Sequence, residues 1–277
     1  MKLKQTVSTR ILSRLTMHDP RDHLAWIKLH FKMLPSVTPD KWDYGEPIKR
    51  PYDENSDWQE FYQWDGGIGT LHWKRLQKTR AWGWFITAVP KRWWHLDTHA
   101  SESIDSELTQ TNLAELIAYV KVSSVQFKAD LAFIDHWHDE YRKVNPKDFL
   151  VTHRMRHWLD DIYWVTVFGD AYVRLFGMEK LLSAPAYKVE KLNHETVFIQ
   201  LTEHLTDSSE NFESFQKIRK ALKDHLDPDA FYQKEKAYEF PLRHEPEFKL
   251  VEQGDVFNAP LFDLIPDEYM DRKPPSA

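Results

Sequence analysis

Apolar positions recur at helical spacing in only a few stretches of this chain, and short alternating runs between them signal strands. Leu24, Ile27, Phe31 and Leu34 share one face of a helix over 19–34, entered through Asp19 as N-cap and Pro20 at the first helical position and ended by Pro35. From Ser36 to about Arg80 the periodicity is lost among prolines and the Gly66-Gly67-Ile68-Gly69 turn, yet Trp42, Trp58, Trp64 and Trp73 fall there. Rings of this size bury large areas, so the segment reads as an irregular layer packed onto the domain. A hairpin follows, with Ala81 to Ala88 as one strand and Trp94 to Ile104 as its partner. Asn112, with Glu115 three residues on, reads as the capping box of a helix whose inward stripe is Leu113, Leu116, Ile117, Val120, Ser124 and Phe127. Strand Leu131 to Asp135 returns.

A polar connection over 136–160 leads to strand Ile162 to Phe168, then through Gly169 to a helix capped by Asp170. Pro185 sets up strand Ala186 to Leu192, Asn193-His194 turn the chain, strand Thr196 to Thr202 follows, and the helix Glu210 to Leu226 buries Phe215, Ile218, Leu222 and Leu226 before Asp227-Pro228 stops it. Two such units give an α+β fold: a mainly antiparallel sheet with helices on one face, in the manner of duplicated ferredoxin-like units, plus an extended C-terminal tail. The expected organisation is an N-terminal helix and aromatic layer over 1–80, an α+β core over 81–230, and an acidic, proline-rich tail over 231–277, together one structural domain.

Composition narrows the chemistry. The 277 residues and 33.1 kDa suffice for a full core, and no apolar run reaches the ~20 residues that span a bilayer. The start of the chain lacks the apolar run of a secretory signal, so the cytoplasm is the expected location. With no cysteine, disulfides, thiolate nucleophiles and cysteine-bound metals are excluded. The net charge of -6 and the absence of a Lys/Arg cluster along the sequence argue against nucleic acid as a partner. The negative charge is concentrated: residues 235–271 hold ten acids against three bases, and the apolar residues between them are expected to hold the tail against the body.

Several groups could carry chemistry. His95, Asp97 and His99 alternate along one predicted strand and share a face, which is either a hard-to-borderline metal set or the wet side of a half-buried strand. Asp135-His136-Trp137-His138-Asp139-Glu140 is the densest group of potential ligands, at a strand end where polar residues are also ordinary. His153 and His157 align on a helix, but Arg154 stands where a zincin needs Glu, so the metalloprotease reading fails. Twelve tryptophans, nine before residue 95, could stack sugars or bases, although packing of a loop-rich layer is the simpler role. No metal and no cofactor is expected.

The stretch Asp161-Ile-Tyr-Trp-Val-Thr-Val-Phe-Gly169, followed by Tyr172-Val-Arg-Leu-Phe-Gly-Met-Glu-Lys-Leu-Leu-Ser-Ala-Pro-Ala-Tyr187, resembles the immunity proteins of bacterial polymorphic-toxin and type VI secretion systems. In those, a strand ending in a YW-x-x-x-x-G element precedes a helix and a glycine-containing turn. Trp73-Lys-Arg, Gly83-Trp-Phe and the strand ending at Asp135 fit the same layout, which spans roughly residues 20 to 230. The resemblance implies a non-enzymatic, cytoplasmic protein that neutralises a cognate toxin by contact, with no catalytic residues to carry over. A basic partner such as a nuclease toxin suits the acidic character. The contact residues then expected are Glu245, Glu247, Glu252 and Asp255 of the tail, His95, Asp97 and His99 on the sheet, and Asp139 and Glu140 in the loop. The alternatives are a metal-dependent hydrolase built on the histidine clusters, and a structural or regulatory binding protein without a toxin.

Overall fold

Val7, Ile11 and Leu12 are fully buried in β1 (Thr6–Ser13), the strand at the seam of the molecule. The computed structural model of the chain describes residues 6–13, 20–53, 68–88, 100–137, 159 and 161–231. Within these, β1 is followed by α1 (Pro20–Met33), β2 (Lys41–Asp43), β3 (Arg50–Pro51), β4 (Ile68–Arg75), β5 (Ala81–Ala88), β6 (Ala100–Glu107), α2 (Gln110–Gln126) and β7 (Ala129–Trp137). Then come β8 (Val165–Phe168), α3 (Asp170–Phe176), α4 (Met178–Leu182), β9 (Lys188–Lys191), β10 (Val197–Gln200), α5 (Asp207–Glu210) and α6 (Phe212–Leu226).

All the strands join one ten-stranded sheet in the order β3-β2-β4-β5-β6-β1-β7-β8-β10-β9. Every ladder is antiparallel, and β1 pairs with both β6 and β7. The expectation of an α+β fold with a large, mainly antiparallel sheet holds, and α1 and α2 pack on one face of it. The strand order gives no support to duplicated ferredoxin-like units, because β1 stands between the two halves and joins them into a single ladder. The segment read as an irregular layer is part of the sheet: β2, β3 and β4 extend it beyond β5.

Register sorts the side chains into two faces. Thr9 pairs with Ile104 and Ile134, and Ile11 with Glu102 and Ala132, so these side chains share the face on which α1 and α2 pack. Buried Leu116, Tyr119 and Val120 of α2 and Trp26 and Ile27 of α1 fill it, each side chain stabilising the fold by roughly 1.5–3 kcal/mol. Phe168 and Asp135 belong to the alternate set and meet Tyr172 and Phe176 of α3 and Arg219 of α6.

Local chemistry moves several boundaries. α2 starts at Gln110 because Thr109 is its N-cap: the Thr109 hydroxyl accepts from the Asn112 N–H at 3.1 Å, and the Asn112 amide oxygen accepts from the Thr109 N–H at 2.8 Å. Glu115, expected as the capping partner, instead accepts from the Ser36 N–H at 3.1 Å and its hydroxyl at 2.5 Å, tying the turn after α1 to α2. Asp170 lies in the first turn of α3, paired with Arg174 at 3.0 Å, and Gly169 takes the cap position. No larger residue fits there: a Cβ on Gly169 would lie 1.8 Å from the Ala129 carbonyl oxygen, where β8 passes β7. Strand β8 begins only at Val165, with Ile162, Tyr163 and Trp164 buried ahead of it.

Candidate functional site

Two rows of side chains cross the face of the sheet opposite α1 and α2. The first runs Lys41, Lys74, Trp82, Asp105, and the second Asp43, His72, Trp84, Ser103, each residue directly opposite the next in register. The Trp82-Gly83-Trp84 triplet explains the placement. Alternation sends both indoles to this face, while Gly83 points to the other, where the Trp73 ring lies over it; a Cβ at Gly83 would come within 2.7 Å of that ring. Arg10 of β1 closes the second row, with its guanidinium 5.4 Å from the centre of the Trp84 ring and bonded to Asp105 at 3.0 and 3.2 Å. Ser8 donates to the same carboxylate at 2.5 Å.

The turn joining β4 to β5 is tied down by hydrogen bonds at both ends. The N–H groups of Leu76 and Gln77 donate to Asp40 at 2.6 and 3.2 Å, Arg75 donates to the Thr38 carbonyl at 2.8 Å, and the Arg80 N–H donates to Glu107 at 3.1 Å. What the turn offers outward is apolar and basic. Leu76 is 57% exposed and Trp82 46% exposed, with Lys78 and Arg80 exposed beside them. Folding also sets Lys41 directly opposite Lys74, with Asp43 and Asp105 on the same face. Residues 66–96, which supply Lys74, Lys78 and Arg80, contain six Lys or Arg and no Asp or Glu.

Two buried polar networks lie elsewhere. Under α1 and α2, the Glu102 carboxylate accepts from His30 Nδ1 at 2.5 Å, from Trp26 Nε1 at 2.8 Å and from the Tyr119 hydroxyl, all without solvent contact. Burial, and then the Glu102 charge, push the Tyr119 phenol well above its ordinary value, so it stays a neutral donor. The network links both helices to β6. The second network joins β7 to α6: Arg219 contacts Asp161 at 3.0 Å and Asp135 at 3.5 Å, and Lys223 contacts Asp161 at 2.8 Å. Burial pushes Asp135 up to about 6 despite the opposing pull of Arg219.

The residues singled out from the sequence fare differently. Asp135 and His136 are buried on alternate faces of β7. Asp139, Glu140, His95, Asp97, His99, His153, His157 and the tail acids Glu245, Glu247, Glu252 and Asp255 lie outside the described residues. Among the described residues no group of three or more His, Asp or Glu side chains is placed to hold a metal ion, and no helix is long and apolar enough to cross a membrane. Of the described tryptophans, Trp26, Trp42, Trp73 and Trp164 are core residues, as packing predicts, while Trp82 and Trp84 face outward.

The chain matches no protein-family model and no curated protein. Among solved structures it is similar to one described as Pseudomonas aeruginosa T6SS protein PA0821, with a TM-score of 0.50 and 10% sequence identity over 80% of this chain and 72% of that one. The likeness is one of fold.

Proposed function

We propose that this chain is an immunity-type protein that binds a cognate bacterial toxin and neutralises it by protein–protein contact in the cytoplasm. The observation that carries the reading is the fold it shares, over most of its length, with a T6SS protein. The immunity-protein layout of the Asp161–Tyr187 stretch points the same way. The outward face of β4 and β5 suits this role: tryptophan and arginine dominate the energetics of protein interfaces, and a turn tied down at both ends loses little entropy on binding. The protein acts stoichiometrically, without turnover. A basic toxin surface, such as that of a nuclease, would be met by the acids of residues 235–271.

The test is genetic and biochemical. The toxin encoded beside this gene should kill cells when expressed alone, spare them when this chain is co-expressed, and co-purify with it in a fixed ratio. Equal killing with and without this chain, together with no complex between the purified proteins, would overturn the reading.

A further inference from the structure

Helix α2 is apolar on its solvent side as well as on its buried one. Its exposed residues Thr111, Ala114, Val122 and Val125 stand four and seven positions to either side of exposed Ala118, which at 3.6 residues per turn gathers all five into one stripe within about 40° of Ala118. Val122 is 41% exposed and Val125 36%. Leu113 and Ile117 are half-buried beside them. The 17 residues of the helix include just two charged ones, Glu115 and Lys121, and both are engaged within the chain at the margins of the stripe: Glu115 accepts from the Ser36 N–H at 3.1 Å, and Lys121 pairs with Glu190 at 2.5 Å. A helix that is apolar all round belongs in an interior, so this stripe has the chemistry of a covered surface.

We propose that α2 pairs with α2 of a second copy of the chain, antiparallel about a two-fold axis at Ala118. The stripe is spaced symmetrically about that residue, so the axis sets Ala114 of each copy level with Val122 of the other, and Thr111 level with Val125. Side chains thus grow outward from the centre: alanine on alanine, then alanine beside valine, then threonine beside valine. That gradient suits two helices that cross at the axis and diverge from it, with the alanines allowing an approach of about 8 Å, the near end of the range for packed helices. Composition favours a copy over a toxin as the occupant. The stripe has no tryptophan, tyrosine or arginine, the usual anchors of complexes between different proteins, whereas apolar, charge-free patches mark homodimers. The helix is about 25 Å long, so its stripe alone covers less than the ~800 Å² per partner of a standard complex, and the association belongs to the weak, concentration-dependent class. The inference is independent of the immunity reading. Because α2 lies on the face of the sheet opposite Trp82 and Trp84, a dimer through α2 leaves both copies of that outer face open to partners.

The chain has no cysteine, so a single introduced thiol reports the axis. Under mild oxidation of the full chain at high concentration, Ala118→Cys should form a disulfide-linked dimer at least about tenfold faster than Ser214→Cys, an exposed position on α6. Sedimentation equilibrium of the parent, from micromolar to submillimolar concentration, should show the average mass rising from 33.1 kDa toward twice that value. Added salt should leave the pair intact or strengthen it, since the contact is apolar and each copy carries a net charge of -6. Ala118→Arg sets two like charges against each other at the axis and should abolish the rise in mass, with an unchanged circular dichroism spectrum verifying the fold. A parent that stays at 33.1 kDa throughout would overturn the proposal. Self-association undiminished in Ala118→Arg would place the contact on another face and overturn it too, as would disulfide formation at equal rates in the two cysteine variants.

Discussion

Arg219 of α6 reaches the Asp135 carboxylate of β7 at 3.5 Å in a site where both side chains are almost wholly removed from water. Arg219 also bonds Asp161 at 3.0 Å, so one guanidinium joins a strand, the segment before β8 and a helix. Removing one partner of a buried ion pair strands the other charge. Arg219→Met should therefore destabilise the fold by about 3–5 kcal/mol in urea denaturation, and the double variant with Asp135→Asn should lose less than the sum of the single losses. Strict additivity would mean that the two residues do not act as a pair.

The same carboxylate makes a pH prediction. With Asp135 raised to about 6 in the folded chain against an ordinary value of 3.8, the folded state holds a proton through this window that the unfolded state has released. Stability from this residue therefore increases as pH falls from above 6 toward 4, and is lost as pH rises through 6, with a slope of up to about 1.4 kcal/mol per pH unit. Asp135→Asn should flatten that part of the profile. A variant whose stability tracks the parent's at every pH across the window would refute the assignment.

Trp164, 1% exposed, donates its indole N–H to the Thr202 carbonyl at 3.0 Å in front of β8. Trp164→Ala should cost about 3–5 kcal/mol, as truncation of large buried rings does. A melting temperature within a degree or two of the parent's would contradict the packing described.

The opposed lysines of β2 and β4 make a prediction of their own. Lys41→Glu should convert a repulsive cross-strand pair into an attractive one and stabilise the fold by about 0.2–1 kcal/mol. A thermal melt of the variant no higher than the parent's would contradict the register of β2 on β4.

Elemental analysis of tag-free protein tests the expectation that the chain holds no metal. Less than a tenth of an equivalent of zinc or manganese per chain is expected, and close to one equivalent would favour the hydrolase alternative.

What was legible in the sequence follows from which elements show periodicity. α1, α2 and α6 were readable from their apolar spacing, and β5, β7 and β10 from β-branched and aromatic runs. β1 was not, because Thr6–Ser13 is rich in polar residues whose burial is licensed only by partners distant in sequence: Ser8 and Arg10 bond Asp105, and Ser13 bonds the Phe127 carbonyl. The strands within 36–80 were hidden for a related reason, since β2 and β3 are three and two residues long and take their form from β4. The outer face was only partly legible: Lys74, Lys78 and Arg80 lie in the acid-free run 66–96, whereas Lys41 stands among Asp40, Asp43 and Glu46 and meets Lys74 only when β2 is laid beside β4.

The position of β1 bears on how the molecule assembles. Its hydrogen bond from Ser8 to Asp105 spans 97 residues of chain, and its second neighbour, β7, lies further still. Closing loops of that length before any contact is gained makes high-contact-order sheets slow to form. Until β1 threads between β6 and β7, those two strands present facing open edges, each a template for strands of other chains. A chain that placed this short strand last would leave those two edges open to other molecules for as long as β1 took to find its slot.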